Sequence, residues 1–333
     1  MHMADALLSP VVGGAMSAVS AGAIGYAVHK IKKEELSEKK LPVMAVMGAF
    51  VFAAQMINFT IPGTGSSGHI GGGVLLAAML GGFPALLTEA AVLIIQCLFF
   101  ADGGLLALGC NIFNMGVIPC LVIYPLLFQP VLQRGLTAKR LTVASILSVV
   151  IGLELGAFAV VVETLVSGIT ALPFGTFAAL MLPIHLAIGV VEGIVTAGIL
   201  CFVLRMRPEL LQSALGGAAL DARVPLRGTL AALAAVTLLV GGGLSLAASS
   251  HPDGLEWSME KVTGTTELSA EGEVHRAAAA IQERTALLPD YDFAQGGTGG
   301  TTVAGIAGAV LTTVLAGGAG FVVVRLKKRA ASK

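Results

Sequence analysis

Long apolar stretches recur along the whole chain and constrain its fold more than any other feature. A helix needs about 20 mainly apolar residues to cross a bilayer core. Only 12% of the residues are charged, whereas soluble domains carry about 25%. The sequence therefore predicts an all-α polytopic membrane protein. Eight stretches reach the required length, near residues 10–29, 41–60, 84–101, 104–131, 141–164, 176–205, 226–248 and 302–325.

The basic residues fix the predicted topology, because Lys and Arg accumulate in cytoplasmic loops. All but Lys261, Arg276 and Arg284 belong to four clusters. These are Lys30, Lys32, Lys33, Lys39 and Lys40; Arg134, Lys139 and Arg140; Arg205, Arg207, Arg223 and Arg227; and Arg325, Lys327, Lys328, Arg329 and Lys333. All four clusters lie on the cytoplasmic side of the membrane only if the shorter stretch 70–82 also crosses the membrane. We therefore predict nine spans, with the N-terminus outside and the C-terminus cytoplasmic.

The stretch 70–82 is too short for a full bilayer core, since a helix of this length covers roughly 20 Å of about 30 Å. The loop before it, residues 60–73, must then dip below the outer surface. Irregular backbone is tolerated at that depth only beside protein or a water-filled cavity. This glycine-rich loop, which carries His69, is therefore predicted to line a cavity.

Met1 and His2 form a chelating sequence on the same predicted side. The α-amino nitrogen and the His2 amide nitrogen would close a five-membered ring on a metal, and the amide nitrogen and His2 Nδ1 a six-membered ring. His69 could add a fourth nitrogen and complete a square-planar site, a geometry of Ni(II) or Cu(II). No cleavable signal peptide is visible, so we expect the mature chain to begin at Met1. Either histidine alone is equally typical of a solvated loop residue.

Several polar residues inside the apolar stretches are further candidates. Carboxylates well inside a membrane span are costly and count as functional candidates by default; they are Glu89, Glu154 and Glu192. His185 shares a helix face with Glu192, and the two could form a relay, a second metal site or interhelical hydrogen bonds. Asn111 and Asn114 lie one turn apart, and could orient metal ligands or make a polar helix contact.

Other features exclude function classes. The net charge is zero, which gives no support for a nucleic-acid partner. Gly63 and Gly68 have the spacing of a phosphate-binding loop, but His69 and Ile70 replace the required Lys and Ser/Thr, so nucleotide binding is rejected. Asp5 and Asp102 lie near the outer face, where they could attract cations or act as caps.

Four motifs together resemble the CbiM/NikM family, the substrate-capture (S) components of cobalt and nickel energy-coupling-factor transporters. They are the opening MHMADALLSP, the loop SGHIGGG at 67–73, NIFNMG at 111–116, and His185 followed seven residues later by Glu192. The resemblance covers roughly residues 1–210. PDGLE at 252–256 resembles the signature of the NikN-type PDGLE module. We predict a capture domain over 1–225 and an auxiliary module over 226–333.

The resemblance implies a seven-helix capture bundle plus two further transmembrane helices that flank an extracytoplasmic segment. It implies that the free N-terminus enters the bundle and binds Ni(II) or Co(II), the transported substrate, through Met1, His2 and His69. It also implies a prokaryotic plasma-membrane location and two partners, a transmembrane coupling protein and a cytoplasmic ATPase. This chain has no ATPase motif and is predicted not to be an enzyme.

Two alternatives remain open from the sequence. The first is an ion-gradient-driven secondary metal transporter or channel that uses Glu89, Glu154 and Glu192 as a relay. The second, a membrane-embedded metalloenzyme, is disfavoured because no general base stands beside the predicted ligands.

Overall fold

A computed structural model describes residues 1–31, 39–221, 224–295 and 299–331. Lys32, Lys33, Arg223 and Lys333 of the basic clusters lie outside the described residues. The described chain consists of helices and one hairpin. The helices are α1 (Pro10–Lys30), α2 (Lys40–Gln55), α3 (Gly73–Leu80), α4 (Gly82–Phe100), α5 (Leu108–Gln133), α6 (Ala138–Ser167), α7 (Phe174–Met206), α8 (Pro208–Gly216), α9 (Arg227–Gly242), α10 (Gly254–Thr263), α11 (Glu273–Thr285) and α12 (Gly300–Ala331).

Seven of these helices are long and apolar enough to cross a membrane, which confirms the predicted all-α membrane fold. They are α1, α4, α5, α6, α7, α9 with its continuation to Ala247, and α12. The shorter apolar helix α2 begins where the second span was expected but ends at Gln55. The prediction that this span runs to residue 60 is wrong, because Phe59–Ile61 (β1) pairs antiparallel with Ser66–Gly68 (β2).

The stretch 70–82 contains a helix of only eight residues, α3, which is buried throughout. Gly72 and Gly81 flank it with φ of +82° and +88°, a conformation that favours glycine. Eight residues rise about 12 Å. The helix starts beside the His69 loop, and Gly81 at its far end approaches the Ala214 carbonyl in α8, the helix that follows α7. The short helix α3 therefore connects the His69 loop to the end of the bundle where α8 lies.

Glycines permit the close helix contacts of both chain halves. A Cβ on Gly193 of α7 would lie 2.8 Å from the Ile146 Cα of α6. A Cβ on Gly308 of α12 would collide with the ring of Phe52 in α2. Small residues let helices approach closely in lipid. The last helix thus packs directly against the first half of the chain.

Candidate metal-binding site

The first nine residues fold into the bundle instead of extending into solvent. Met3, Leu7 and Leu8 are fully buried. The Met3 amide donates to Asn111 Oδ1 at 2.8 Å, and the Met3 carbonyl accepts from the Gly104 amide at 2.9 Å. A Cβ on Gly104 would collide with Asp5. The two hydrogen bonds of the Met3 backbone therefore fix the path of the N-terminal segment.

The Met1 ammonium lies between two side chains from distant parts of the chain. Its nitrogen is 3.3 Å from His69 Nε2 and donates to Asp253 Oδ2 at 2.6 Å. The Met1 side chain is buried, and a Cβ on Gly156 of α6 would lie 2.9 Å from its terminal methyl carbon. The structure thus brings together Met1 and His69, two of the candidate ligands, and adds Asp253 to them.

The protonation of His69 follows from its neighbours. Its Nδ1 lies 3.1 Å from the Ile70 carbonyl oxygen, which can only accept, so Nδ1 carries the proton and Nε2 keeps its lone pair. Burial, and then the Met1 ammonium, lowers the pKa of His69 to about 3. The ring is therefore neutral at physiological pH, with the free nitrogen directed at Met1.

The His2 tautomer is set by a chain of amide groups that ends at a backbone carbonyl. Gln55 Nε2 donates to the Gly71 carbonyl at 2.7 Å, which leaves Gln55 Oε1 to accept from Gln96 Nε2, also at 2.7 Å. The remaining atom of the Gln96 amide, Oε1, lies 3.0 Å from His2 Nε2. Because this oxygen can only accept, His2 Nε2 carries the ring proton. Because burial also lowers the pKa of His2, its ring is neutral and Nδ1 holds the free lone pair.

Four nitrogens are candidate ligands, namely the Met1 amine, the His2 amide, His2 Nδ1 and His69 Nε2, and the His2 and His69 rings stack with their centroids 5.2 Å apart. Within the described residues the His2 amide donates no hydrogen bond. Metal–nitrogen bonds of about 2.0 Å would place adjacent nitrogens of a planar site about 2.8 Å apart, close to the 3.3 Å between Met1 N and His69 Nε2. No group of three His, Cys, Asp or Glu side chains in the described chain forms a metal site, so the backbone nitrogens are essential to this arrangement.

An acidic cavity of about 440 Å³ adjoins His2. Its carboxylates are Asp5, Asp102, Glu256, Glu267 and Asp290. Asp102 Oδ1 faces His2 Nδ1 at 3.4 Å, and Asp102 Oδ2 accepts from the Tyr291 hydroxyl at 2.5 Å. Asp5 is a cap, since its Oδ1 accepts from the Ala107 amide, and burial raises the pKa of its carboxyl.

The PDGLE segment binds the loop that carries His69. The Ser67 amide donates to the Pro252 carbonyl at 2.8 Å, and Trp257 Nε1 donates to the Thr64 carbonyl at 3.0 Å. The His251 carbonyl, not its ring, accepts from the Ser67 hydroxyl. Burial alone would raise the pKa of Asp253, but the Met1 ammonium holds it below its usual range. The auxiliary segment therefore places an ionised carboxylate at the amine.

A cavity of about 40 Å³ adjoins Met1 and His69 and collects three further predicted residues. It is lined by Asn114, His185 and Glu192. Glu192 Oε1 accepts from the Gly72 amide at 3.0 Å, whereas its Oε2 has no partner among the described residues. Asn114 Nδ2 donates to Glu163 Oε2 at 2.9 Å. These residues border the four nitrogens but supply none of them.

The three intramembrane carboxylates of the relay hypothesis have separate surroundings. Glu89 Oε1 accepts from Gln55 Nε2 at 3.0 Å, which ties it to the His2 chain. Glu192 holds the Gly72 amide, and Glu154 is only half-buried. Within the described residues no hydrogen bond joins any two of these carboxylates.

Sequence reasoning missed three residues of this site: Gln55, Gln96 and Asp253. The two glutamines are polar residues inside apolar stretches, which is a detectable signal, because polar side chains in membrane helices need partners. Asp253 was recognised only as part of a module signature. Its distance of 252 residues from Met1 along the chain gave no hint of their contact.

Comparisons with known proteins identify the family. The family model described as cobalt uptake substrate-specific transmembrane region, CbiM, matches residues 2–210. The chain belongs to the CbiM family. A PDGLE domain model matches residues 227–325, so the resemblance of both chain halves is confirmed. This CbiM-family protein is therefore a multi-pass membrane component of metal transport and not an enzyme.

Relatives with the same fused organisation cover most of the chain. A putative fused nickel transport protein NikMN of Archaeoglobus fulgidus is 30% identical over 99% of this chain and 100% of its own length. The fused nickel transport protein NikMN of Rhodobacter capsulatus is 30% identical over 79% of this chain and 77% of its own. A crystal structure of a truncated transition metal transporter matches 62% of this chain and 99% of its own, with a TM-score of 0.55 and 30% identity.

Proposed function

We propose that this CbiM-family protein captures Ni(II), or Co(II) as a second choice, from outside the cell as the substrate-specific subunit of an ATP-driven uptake transporter. The metal binds to the Met1 amine, the His2 amide and Nδ1, and His69 Nε2. The observation that carries this proposal is the 3.3 Å separation of Met1 N and His69 Nε2. Both imidazoles also have their other nitrogen engaged, which leaves the required lone pairs free.

Two arguments favour nickel over cobalt. Coordination by an ionised amide nitrogen in a plane suits Ni(II) better than Co(II), because Ni(II) readily adopts square-planar geometry. Two relatives with the fused organisation are named as nickel transport proteins. In the proposed topology the N-terminus lies outside a prokaryotic plasma membrane and the C-terminus is cytoplasmic.

The energy for uptake comes from partner proteins in this proposal. Proteins of this family are the substrate-specific part of an uptake transporter. The other parts of such a transporter would be a transmembrane coupling protein and a cytoplasmic ATPase. The purified chain alone, reconstituted in liposomes with an ion gradient, should show no concentrative nickel uptake. Gradient-driven accumulation under these conditions would instead support the secondary-transporter hypothesis.

Calorimetric titration with Ni(II) tests the site directly. His2→Ala and His69→Ala should each abolish tight binding, and so should a tag that extends the chain in front of Met1. The matched control is His29→Ala, because His29 is exposed at the end of α1. Tight binding by the N-terminally extended protein would rule out the amine as a ligand.

A further inference from the structure

The two carboxylate oxygens of Asp253 have separate partners. Oδ1 accepts from the amides of Leu255 and Glu256, at 2.8 and 2.9 Å, and thereby caps the first turn of α10. Oδ2 accepts from the Met1 ammonium at 2.6 Å. The cap fixes the direction of the carboxylate, so Oδ2 points at the amine without depending on the amine for its position.

The backbone around Asp253 is held from both sides. Ser67 on β2 pairs with the segment through a parallel bridge to Asp253. On the other side, a Cβ on Gly254 would lie only 2.9 Å from His185 Cε1. This leaves little freedom for the Asp253 main chain, and any side chain at position 254 would push it out of place. Asp253 is thus a rigid part of the site wall, although it comes from the auxiliary half of the chain.

The negative charge of Asp253 matters because its carboxylate is buried next to the proposed metal ligands. The side chains of Met1 and Asp253 are both largely buried, at 4% and 15% exposure. A dication held by four nitrogens, one of them an ionised amide, keeps one net positive charge. An uncompensated buried charge is strongly unfavourable, and a bound metal ion is the largest local charge in its site. The carboxylate that balances the ammonium in the metal-free protein would balance this excess charge equally well.

We infer that Asp253 is a further binding residue of the capture site. Its Oδ2 meets the incoming dication, leaves the amine nitrogen to it, and stays beside the metal as countercharge. This inference rests on the proposed function. It gives the PDGLE module a direct part in substrate binding, in addition to covering the His69 loop. It also predicts selectivity for cations over neutral ligands at this wall of the site.

The substitution Asp253→Asn in the full chain tests the inference. Asn is an equally good helix cap and has nearly the same shape, so the change removes only the charge. Ni(II) affinity, measured by calorimetry, should fall by about 10- to 100-fold, as for other residues that support a metal site. Glu260→Gln is the matched control, since Glu260 belongs to the same helix and no hydrogen bond or ion pair joins it to the amine in the described chain; the nickel affinity of this variant should be unchanged.

Two further measurements separate the possible outcomes. Amide hydrogen exchange of residues 254–263 should be the same in Asp253→Asn and in the unchanged protein, which establishes that α10 is intact. If affinity is then also unchanged while His69→Ala abolishes binding, the inference about Asp253 is wrong and the four-nitrogen site stands. If His69→Ala retains tight binding, the proposed function itself fails.

Discussion

His2 Nε2 donates a hydrogen bond to Gln96 Oε1 at 3.0 Å. This contact fixes the imidazole tautomer and leaves the lone pair on Nδ1, the nitrogen that faces Asp102 Oδ1 at 3.4 Å. The substitution Gln96→Leu removes the acceptor and leaves a buried ring N–H unpaired. We expect a 10- to 100-fold loss of nickel affinity, the usual cost of removing a hydrogen bond that orients a ligand. Titration calorimetry measures the change.

Gln129→Leu is the matched control for Gln96→Leu. Gln129 also donates an amide hydrogen bond to a carbonyl, that of Leu215, but at the α8 end of the bundle. Its loss should leave nickel affinity unchanged. Equal losses in both variants would mean that the effect is general destabilisation.

Gly104→Ala should displace the N-terminal segment without unfolding the helices. The new methyl group would occupy the place of Asp5, while the Gly104 amide is the partner of the Met3 carbonyl. We expect loss of tight nickel binding together with new protease sensitivity at the N-terminus. Gly22→Ala in α1 has open space around the new methyl group and is the control. Retained binding in Gly104→Ala would contradict the observed path of residues 1–9.

The number of protons released on nickel binding follows from the histidine environments. The pKa of His2 is lowered and that of His69 is lowered to about 3. A lowered pKa keeps the neutral form down to acidic pH, so neither ring has a proton to release at pH 7. We therefore expect about two protons per metal, one from the Met1 ammonium and one from the His2 amide, and weaker binding as pH falls. Calorimetry in buffers of different ionisation enthalpy measures this number, and release of about three or more would contradict it.

Glu192 is expected to support the His69 loop through one hydrogen bond. Glu192→Leu leaves the buried Gly72 amide without its acceptor and should lower the free energy of unfolding by about 1–3 kcal/mol. Glu192→Gln keeps a carbonyl acceptor in the same place and should retain most of that stability. Thermal unfolding in detergent compares the two. Equally large losses for Gln and Leu would mean that the negative charge, and not the hydrogen bond, is required.

The membrane fold was predictable because lipid imposes a length and an apolar composition on every span. A chelating sequence could be proposed because its chemistry is local: an amine, an amide and an imidazole follow one another in Met1 and His2. The β1–β2 hairpin was not, since its strands have three residues each and their pairing depends on the PDGLE segment beside Ser67. The Gln55–Gln96 pair gave only a general signal of buried polarity, without a partner.

The contact between Met1 and Asp253 also sets an order of events during synthesis. Met1 leaves the ribosome first, whereas its carboxylate partner is added 252 residues later. At about 5–20 residues per second, this delay is roughly 10–50 s. The wall of the site that Asp253 forms is therefore completed only when about three-quarters of the polypeptide has been translated.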